Sequence, residues 1–200
     1  YNGNYADEDK PNPQILNPFS FSSSLPPMMQ SYFKPFETMI NSMEPWQEMI
    51  DNQEFLENQY DLVDGRWPSE ANEIVIIVNK DNELYDYFLY ALGIKDPNEI
   101  LEIITAQMRG ETFEPEEVKI SFNDILKLKY RVLPSSEYYK DVGGHYEKSK
   151  DNAFVKQQLI DKGFDLNVVG IIKPNENAAA SSMTGCVGYT RALSDYVINY

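Results

Sequence analysis

The chain has 200 residues, of which 42% are hydrophobic, and its 14 Tyr, 10 Phe and 2 Trp supply ample material for a core. This content argues against global disorder and fits one sizeable domain, or a core with an appendage. The net charge of −15 excludes a basic surface for nucleic-acid phosphates and opposes docking on an anionic membrane. The single cysteine excludes an intrachain disulfide.

Residues 1–58 are predicted to form a segment of their own, rich in proline and then in methionine. Residues 1–30 should be extended or loop-like, because their prolines fix φ and remove backbone donors. Two helices are predicted next, over residues 32–42 and 45–58, with Pro45 in the first turn of the second. The methionines of this zone indicate core packing or, alternatively, an adaptable binding face.

From residue 59 the pattern changes to one strand followed by two helices. The segment over residues 73–79, which is continuously apolar from 74 to 78, predicts a strand that is covered on both faces. Residues 83–92 predict a helix that ends at Gly93 and presents one apolar face, made of Leu84, Tyr87, Phe88 and Ala91. The next helix should be capped by Asp96, begin at Pro97 and end at Gly110. Its apolar stripe consists of Ile100, Leu101, Ile103, Ile104 and Met108.

The C-terminal half alternates short strands and helices. Strands are predicted over residues 118–121, 128–133 and 166–172, and a hairpin or loop over 137–146 around Gly143 and Gly144. Helical segments are predicted over 122–127, capped by Ser121, and over 151–162, and a loop over 175–185. A terminal helix over 191–199 should be capped by Thr190 and turn Leu193, Val197 and Ile198 inward.

These elements predict an α+β fold in which a mixed sheet is interspersed with helices. We divide the chain into an N-terminal loop and helical segment, residues 1–58, and an α+β core domain, residues 59–200. The longest apolar run, residues 74–78, is the size of a strand, and the chain opens at Tyr1 without an initiator methionine or a signal peptide. We therefore expect any membrane spans of the parent protein to lie outside this sequence.

The motifs of nucleotide-binding folds do not occur in the sequence. It contains neither a Gly-x-x-x-x-Gly-Lys-Ser/Thr loop nor a Gly-x-Gly-x-x-Gly turn. His145 is the only histidine, and its Gly143-Gly144-His145-Tyr146 context indicates a solvent loop. Cys186 could be a nucleophile only with His145 as its base, and a packed thiol is the preferred interpretation. We predict no catalytic, cofactor-binding or metal-binding residue.

Acidic residues offer two further possibilities for chemistry. Paired acids such as Glu116-Glu117, Glu73 and Glu83 could serve a hydrolase, although a chain this acidic supplies such pairs by chance. Residues 79–83 offer oxygen ligands for Ca²⁺ but lack the glycine and the distal glutamate of an EF-hand loop. Both possibilities rank below a structural role.

Several segments resemble, in the same order, the extracellular domain of FtsX-like/MacB-like ABC-transporter permeases, especially long clostridial-type members. The first is a "Gly-basic-x-Pro" turn leading into a strand: Tyr60-Asp61-Leu62-Val63-Asp64-Gly65-Arg66-Trp67-Pro68, then Asn72-Glu73-Ile74-Val75-Ile76. The others are Asp81-Asn82-Glu83-Leu84 with Leu89-Tyr90-Ala91-Leu92-Gly93; Phe122-Asn123-Asp124-Ile125-Leu126 with Leu128-Lys129-Tyr130; and Val168-Val169-Gly170-Ile171-Ile172-Lys173-Pro174-Asn175-Glu176 with Gly188-Tyr189-Thr190. The matching stretch covers residues 59–200.

The resemblance implies a MacB-like, periplasmic-core-type domain on the extracellular face of the cell membrane, with the N-terminal segment as an insertion. It implies a non-catalytic role that couples the motion of a cytoplasmic ATPase subunit to transport or signalling outside the cell. The partners would be that ATPase, a second permease copy, and a peptide or lipid cargo. On the residues themselves, Gly65 should supply a tight turn, Trp67 an anchor, Pro68 a stiff strand entry and Gly188 freedom before the last helix.

Two other function classes stay open. One is a freestanding secreted module for peptides or glycans, which would use the exposed aromatic side chains of Tyr138, Tyr139 and Tyr146. The other is a hydrolase that uses a pair of carboxylates.

Overall fold

A computed structural model describes residues 2–4, 12–14, 45–96, 98–112, 117–148, 161–176, 182–183 and 185–200. The strands are β1 Asn2–Asn4, β2 Asn12–Gln14, β3 Trp46–Glu48, β4 Tyr60–Gly65, β5 Glu73–Ile77, β6 Lys129–Val132, β7 Tyr139–Asp141, β8 Tyr146–Lys148, β9 Phe164–Pro174 and β10 Val187–Tyr189. The helices are α1 Gln53–Gln59, α2 Asp86–Ala91, α3 Asn98–Met108, α4 Phe122–Leu126 and α5 Arg191–Asn199, with a 3-10 turn at Ser135–Tyr138. The predicted α+β class with a mixed sheet is confirmed.

Strand β9 is the centre of an eight-stranded sheet. The sheet runs β2-β1-β6-β9-β5-β10-β3, and β4 is a further partner of β9. Parallel β5 pairs along residues 167–172 of β9, while antiparallel β6 takes residues 164–167 and antiparallel β4 takes residues 170–174. Because a strand has only two edges, β6 and β4 must lie end to end on the edge opposite β5.

The alternation of β5 distributes two hydrophobic clusters over the two faces of the sheet. All five β5 residues are buried. Ile74 and Ile76 point to the cluster that includes Phe88 of α2, Ile125 of α4 and Leu193 of α5. The opposite cluster consists of Met49, Leu56, Tyr60, Val75, Ile77, Ile172 and Met183, and α1 covers it through Leu56. This two-sided burial confirms the predicted central strand.

A bulge in β9 keeps its apolar side chains in register with these clusters. Ile74 pairs with Val168 but Val75 pairs with Gly170, so Val169 is an extra residue on β9. The extra residue shifts the alternation, and Val168 and Ile171 therefore face the same cluster.

At the bulge, the backbones of β4 and β9 approach so closely that only glycine fits. Gly65 has φ +77°, and a Cβ there would lie closer than 3.0 Å to Val169 O. A Cβ on Gly170 would likewise lie closer than 3.0 Å to Arg66 O. The approach is held by the Arg66 backbone N–H, which donates to Val169 O at 2.9 Å. Gly65 was predicted to supply a tight turn, but it is the last residue of β4 and pairs with Gly170, so its left-handed φ serves the close approach of the two backbones.

Several predicted helices are found close to their expected bounds. Helix α2 buries Phe88 and Ala91, and the chain turns at Gly93 with φ +67°. Helix α3 ends near Gly110, φ +72°, but Met108 is 57% exposed and does not belong to a buried stripe. Ser121 caps α4, because its hydroxyl accepts the Asp124 N–H at 3.2 Å. Residues 129–132 and 164–174 form the strands predicted over 128–133 and 166–172.

Other predictions are wrong. Residues 46–48 form β3 rather than the start of a helix, because they pair with β10 in parallel register; only α1 is helical in this stretch. Residues 118–121 form no strand, and Val118 is exposed. In α5 only Leu193 is buried, whereas Val197 and Ile198 face solvent. Thr190 precedes α5, but its hydroxyl donates to Glu70 O at 3.4 Å instead of capping the helix.

The role predicted for Gly188 is also corrected. Gly188 lies within β10, and a Cβ there would come within 3.0 Å of both Met49 Sδ and Val75 Cγ2. Glycine at this position therefore leaves room for Met49 and Val75 to pack over the sheet. The helix predicted over residues 32–42 lies outside the described residues, as does that over 151–162 except for positions 161 and 162, which are helical.

We expect Gly65→Ala to lower the free energy of unfolding by about 3 kcal/mol, because it combines left-handed strain with a backbone clash. Gly110→Ala is the matched control, since Gly110 has a similar φ of +72° but nothing within 4 Å of its Cβ position. It should cost only about 1 kcal/mol. Urea unfolding monitored by tryptophan fluorescence measures both. Equal losses of unfolding free energy in the two variants would contradict the close approach at the bulge.

Candidate functional site

The turn that carries the family resemblance is closed by an ion pair. Arg66 Nη1 donates to Glu73 Oε2 at 2.8 Å, and Arg66 Nη2 donates to Glu73 Oε1. Glu73 Oε2 also accepts the backbone N–H groups of Ser69 at 2.9 Å and Glu70 at 3.2 Å. Trp67 packs against the cluster of Tyr60 and Ile77, which confirms it as an anchor. The carboxylate thus organises residues 66–73 at the entry to β5.

This geometry keeps Glu73 ionised. Hydrogen bonding from Arg66 lowers the pKa of Glu73 to about 2, with further help from the Ser69 and Glu70 N–H groups and against the opposing effect of burial. A general acid must hold a proton near neutral pH. Glu73 is therefore a structural anion and is unsuited to the acid role in a carboxylate pair.

The other acids considered for catalysis are not part of the Arg66–Glu73 clamp. Glu83 donates its backbone N–H to Asn79 Oδ1 and is exposed. The side chain of Glu117 is 82% exposed and lies 3.7 Å from Lys119, and Glu116 lies outside the described residues. The possible carboxylate pair Glu116-Glu117 thus lies partly outside the described residues, and Glu83 and Glu117 are exposed.

The turn over residues 79–83 uses the side-chain oxygen of Asn79 internally. Asn79 Oδ1 accepts the N–H groups of Asp81 at 2.9 Å and Glu83 at 2.8 Å, and Asn82 adopts φ +63°. An asparagine occupied in this way forms a side-chain-stabilised turn. In the part of the chain that the structure describes, no three His, Cys, Asp or Glu side chains converge as metal ligands would.

Cys186 and His145 lie in different environments. Cys186 is fully buried in the cluster with Ile76 and Tyr130, and burial raises the pKa of its thiol. His145 lies at the tip of the β7–β8 hairpin, where its ring Nε2 is 3.0 Å from Glu147 Oε1 and its side chain is exposed. A nucleophilic thiol requires a neighbouring base and a lowered pKa. Cys186 has the opposite setting.

The predicted hairpin is present and carries exposed aromatic side chains. Val142 N–H donates to His145 O at 2.8 Å across a loop in which Gly143 and Gly144 both have positive φ. Asp141 pairs with Tyr146, so these two residues share one face of the ribbon with Tyr139. Tyr139 and Tyr146 are 49% and 76% exposed. The side chain of Tyr138 lies outside the described part.

A polar junction that the sequence did not reveal ties this hairpin to the end of the chain. Glu137, just before β7, accepts from Lys162 Nζ at 2.6 Å through Oε2 and from Tyr200 OH at 2.9 Å through Oε1. Nearby, Phe164 of β9 stacks on Tyr196 of α5 with ring centroids 4.0 Å apart. Hydrogen bonding from Lys162 lowers the pKa of Glu137. The hairpin base, β9 and α5 are thereby linked.

A buried lysine is the second charged group that sequence reasoning missed. Lys95 is 7% exposed; its Nζ lies 3.4 Å from Glu99 Oε1 and 5.7 Å from the centre of the Tyr90 ring. Burial raises the pKa of Tyr90 to about 12, and Glu99 adds to the rise. The i,i+4 spacing of Lys95 and Glu99 is visible in the sequence, but the burial of Lys95 depends on how Tyr90 of α2 and Glu99 of α3 come together around it. The cluster holds α2 and α3 together.

The chain matches no protein-family model, and comparisons with curated proteins and with solved structures return no match either. None of the helices in the described ranges combines the length and apolarity needed to cross a bilayer.

Replacing Glu73 should destabilise the protein in a pH-dependent way. We expect Glu73→Gln to cost about 2 kcal/mol at pH 7, because the Arg66 guanidinium and two N–H groups lose an anionic acceptor. Since the folded-state pKa is lowered from 4.5 to about 2, the stabilisation by ionised Glu73 is present above 4.5 and is lost as the pH falls from 4.5 through 2. The difference in free energy of unfolding between the natural chain and Glu73→Gln should therefore shrink as the pH falls through this range. Glu117→Gln, at an exposed site, should change the free energy of unfolding little. A loss from Glu73→Gln that is as large at low pH as at pH 7 would contradict the clamp.

The thiol of Cys186 should be inert in the folded protein. Because it is buried and its pKa is raised, we expect no labelling by a thiol-specific disulfide reagent at pH 8 under native conditions, and one labelled thiol per chain in denaturant. Absorbance of the released thiolate measures both. Rapid native labelling would restore the cysteine as a candidate nucleophile.

Proposed function

We propose that this chain is a non-catalytic extracellular domain of an FtsX-like/MacB-like ABC-transporter permease. It would couple ATP-driven motion of a cytoplasmic ATPase to transport or signalling outside the cell. The observation that carries the proposal is the Gly65–Glu73 turn. Its glycine, basic residue and proline stand in the order typical of the family, and its basic residue, Arg66, forms a clamp with Glu73 at the entry to a fully buried strand.

The Glu137 junction supports a mechanical role. It joins the end of α5 directly to the hairpin base and to the residues that enter the central strand β9. In the proposed permease, displacement of the segment that follows α5 would be carried into the sheet through these bonds. A domain whose states are biased by such contacts transmits movement without making or breaking covalent bonds.

A second candidate is a secreted module that binds peptides or glycans. The observation that favours it is the hairpin face, where Tyr139 and Tyr146 are exposed on the same side as Asp141. Aromatic rings presented in this way are common in binding surfaces. The two candidates differ in where the full protein resides.

Fractionation of cells that make the natural protein tests the proposal. An antibody against this domain should detect the full-length protein in membranes after a carbonate wash, and detergent extraction should co-purify an ATPase subunit. Protease added to intact cells stripped of their wall should digest the domain, because it faces outward. Recovery of the protein from the medium, or from the soluble fraction after washing, would overturn the permease and support the secreted module.

A further inference from the structure

The segment from α1 into β4 presents exposed apolar side chains in an entirely acidic setting. Residues 45–65 contain six acids and not one Lys, Arg or His. Within this stretch three large apolar side chains are between 37% and 48% exposed: Ile50, Phe55 and Leu62. We call the surface formed by these three residues with Asp51, Glu54 and Glu57 the α1–β4 surface.

The apolar residues of this surface lie around a single helix. Leu56 points α1 into the core, so helical geometry turns Glu54 outward, with Phe55 and Glu57 on its two flanks. Leu62 follows Tyr60 by two residues in β4, so it lies on the sheet face that α1 covers. Ile50 directly follows the buried Met49 and precedes the Asn52 cap of α1.

Within the described ranges, the acids of this surface form no ion pair. No described lysine, arginine or histidine pairs with Asp51, Glu54 or Glu57, and Glu57 accepts the neutral amide of Gln53 at 2.7 Å. By contrast, Glu48 at the start of the stretch lies 3.4 Å from Arg191. The α1–β4 surface therefore presents a negative potential among the described residues, and the net charge of −15 reinforces it.

We propose that the α1–β4 surface docks a basic, amphipathic segment of a partner protein. Lysine or arginine side chains of the partner would face Asp51, Glu54 and Glu57, while its apolar side chains would cover Phe55 and Leu62. Charge complementarity selects this occupant, since the same field repels an anionic bilayer and nucleic acid. Phe55 is the proposed anchor, because it is the aromatic side chain among the exposed apolar residues of this surface and aromatic side chains carry much of the energy of interfaces.

Fluorescence anisotropy with a defined probe tests this docking surface. The probe is a labelled peptide of lysine and leucine at amphipathic helical spacing, and a glutamate and leucine peptide of the same pattern is its opposite-charge counterpart. The lysine peptide should bind this chain at low ionic strength and weaken at about 0.3 M NaCl, while the glutamate peptide should not bind. Absence of binding by the lysine peptide would overturn the proposal.

Two pairs of variants separate a specific surface from general attraction. The triple variant Asp51→Asn, Glu54→Gln, Glu57→Gln should weaken binding about tenfold. The triple variant Glu117→Gln, Asp141→Asn, Glu147→Gln removes the same charge elsewhere and should change binding less than about twofold. Equal weakening by both would show attraction to the overall charge and would overturn the proposal.

The apolar contribution has its own control. Phe55→Ala should weaken the peptide about tenfold, whereas Tyr85→Ala, at another exposed aromatic side chain, should leave it unchanged. Circular dichroism and thermal unfolding verify that each variant is folded. Unchanged binding by folded Phe55→Ala would overturn the role of the anchor. This inference holds for the isolated chain, so its failure would leave the membrane assignment untouched.

Discussion

The contact between the backbones of β4 and β9 is the constraint on which the rest of the structure depends. β9 must pair with three strands, and it can do so only because β4 and β6 share one of its edges. Where β4 ends, Gly65 and Gly170 remove the two Cβ atoms that would otherwise separate the chains. The extra residue Val169 then shifts the alternation, so that Val168 and Ile171 face one cluster and Ile172 faces the other.

The same contact explains why the turn after β4 needs a charged clamp. The backbone N–H of Arg66 donates to Val169 O. This bond places the Arg66 side chain where it contacts Glu73 at the start of β5. A nearly buried carboxylate is stable only when hydrogen-bond donors compensate its negative charge. Glu73 receives donors from Arg66, Ser69 and Glu70, and the turn thereby fixes where the central strand β5 begins.

The described side chains that could support chemistry are held apart, and this separation shapes the functional proposal. The thiol is sealed in the core, the histidine stands on an exposed hairpin, and the most perturbed carboxylate is a structural anion. The fold links distant parts of the chain through the hydrogen bonds of Glu137 and through the stacked rings of Phe164 and Tyr196. Such connections suit a domain that passes on movement or docks a partner, which are the roles proposed for this chain.

The sequence by itself determined the elements whose signals are local. The apolar run of β5, the Ser121 cap and the glycine turn of the hairpin all depend on neighbouring residues, and the structure confirms each of them. The helix α2 is present and buries Phe88 and Ala91 as predicted, although Leu84 precedes it and the buried Leu89 was not predicted. The anchoring role of Trp67 was predictable for the same reason. The family assignment and the division after residue 58 stay predictions.

Only the tertiary structure decided which strand pairs with which and which side chains meet. Residues 46–48 form a strand because they pair with β10, and Val197 and Ile198 are exposed because Leu193 is the residue that α5 buries in the core. The packing reason for Gly188 and the Glu137 junction likewise depend on residues far apart in the chain, and the burial of Lys95 depends on how α2 and α3 pack against each other. Periodicity and propensity describe a segment alone, whereas pairing and burial are set by its neighbours in space, which a single sequence does not specify.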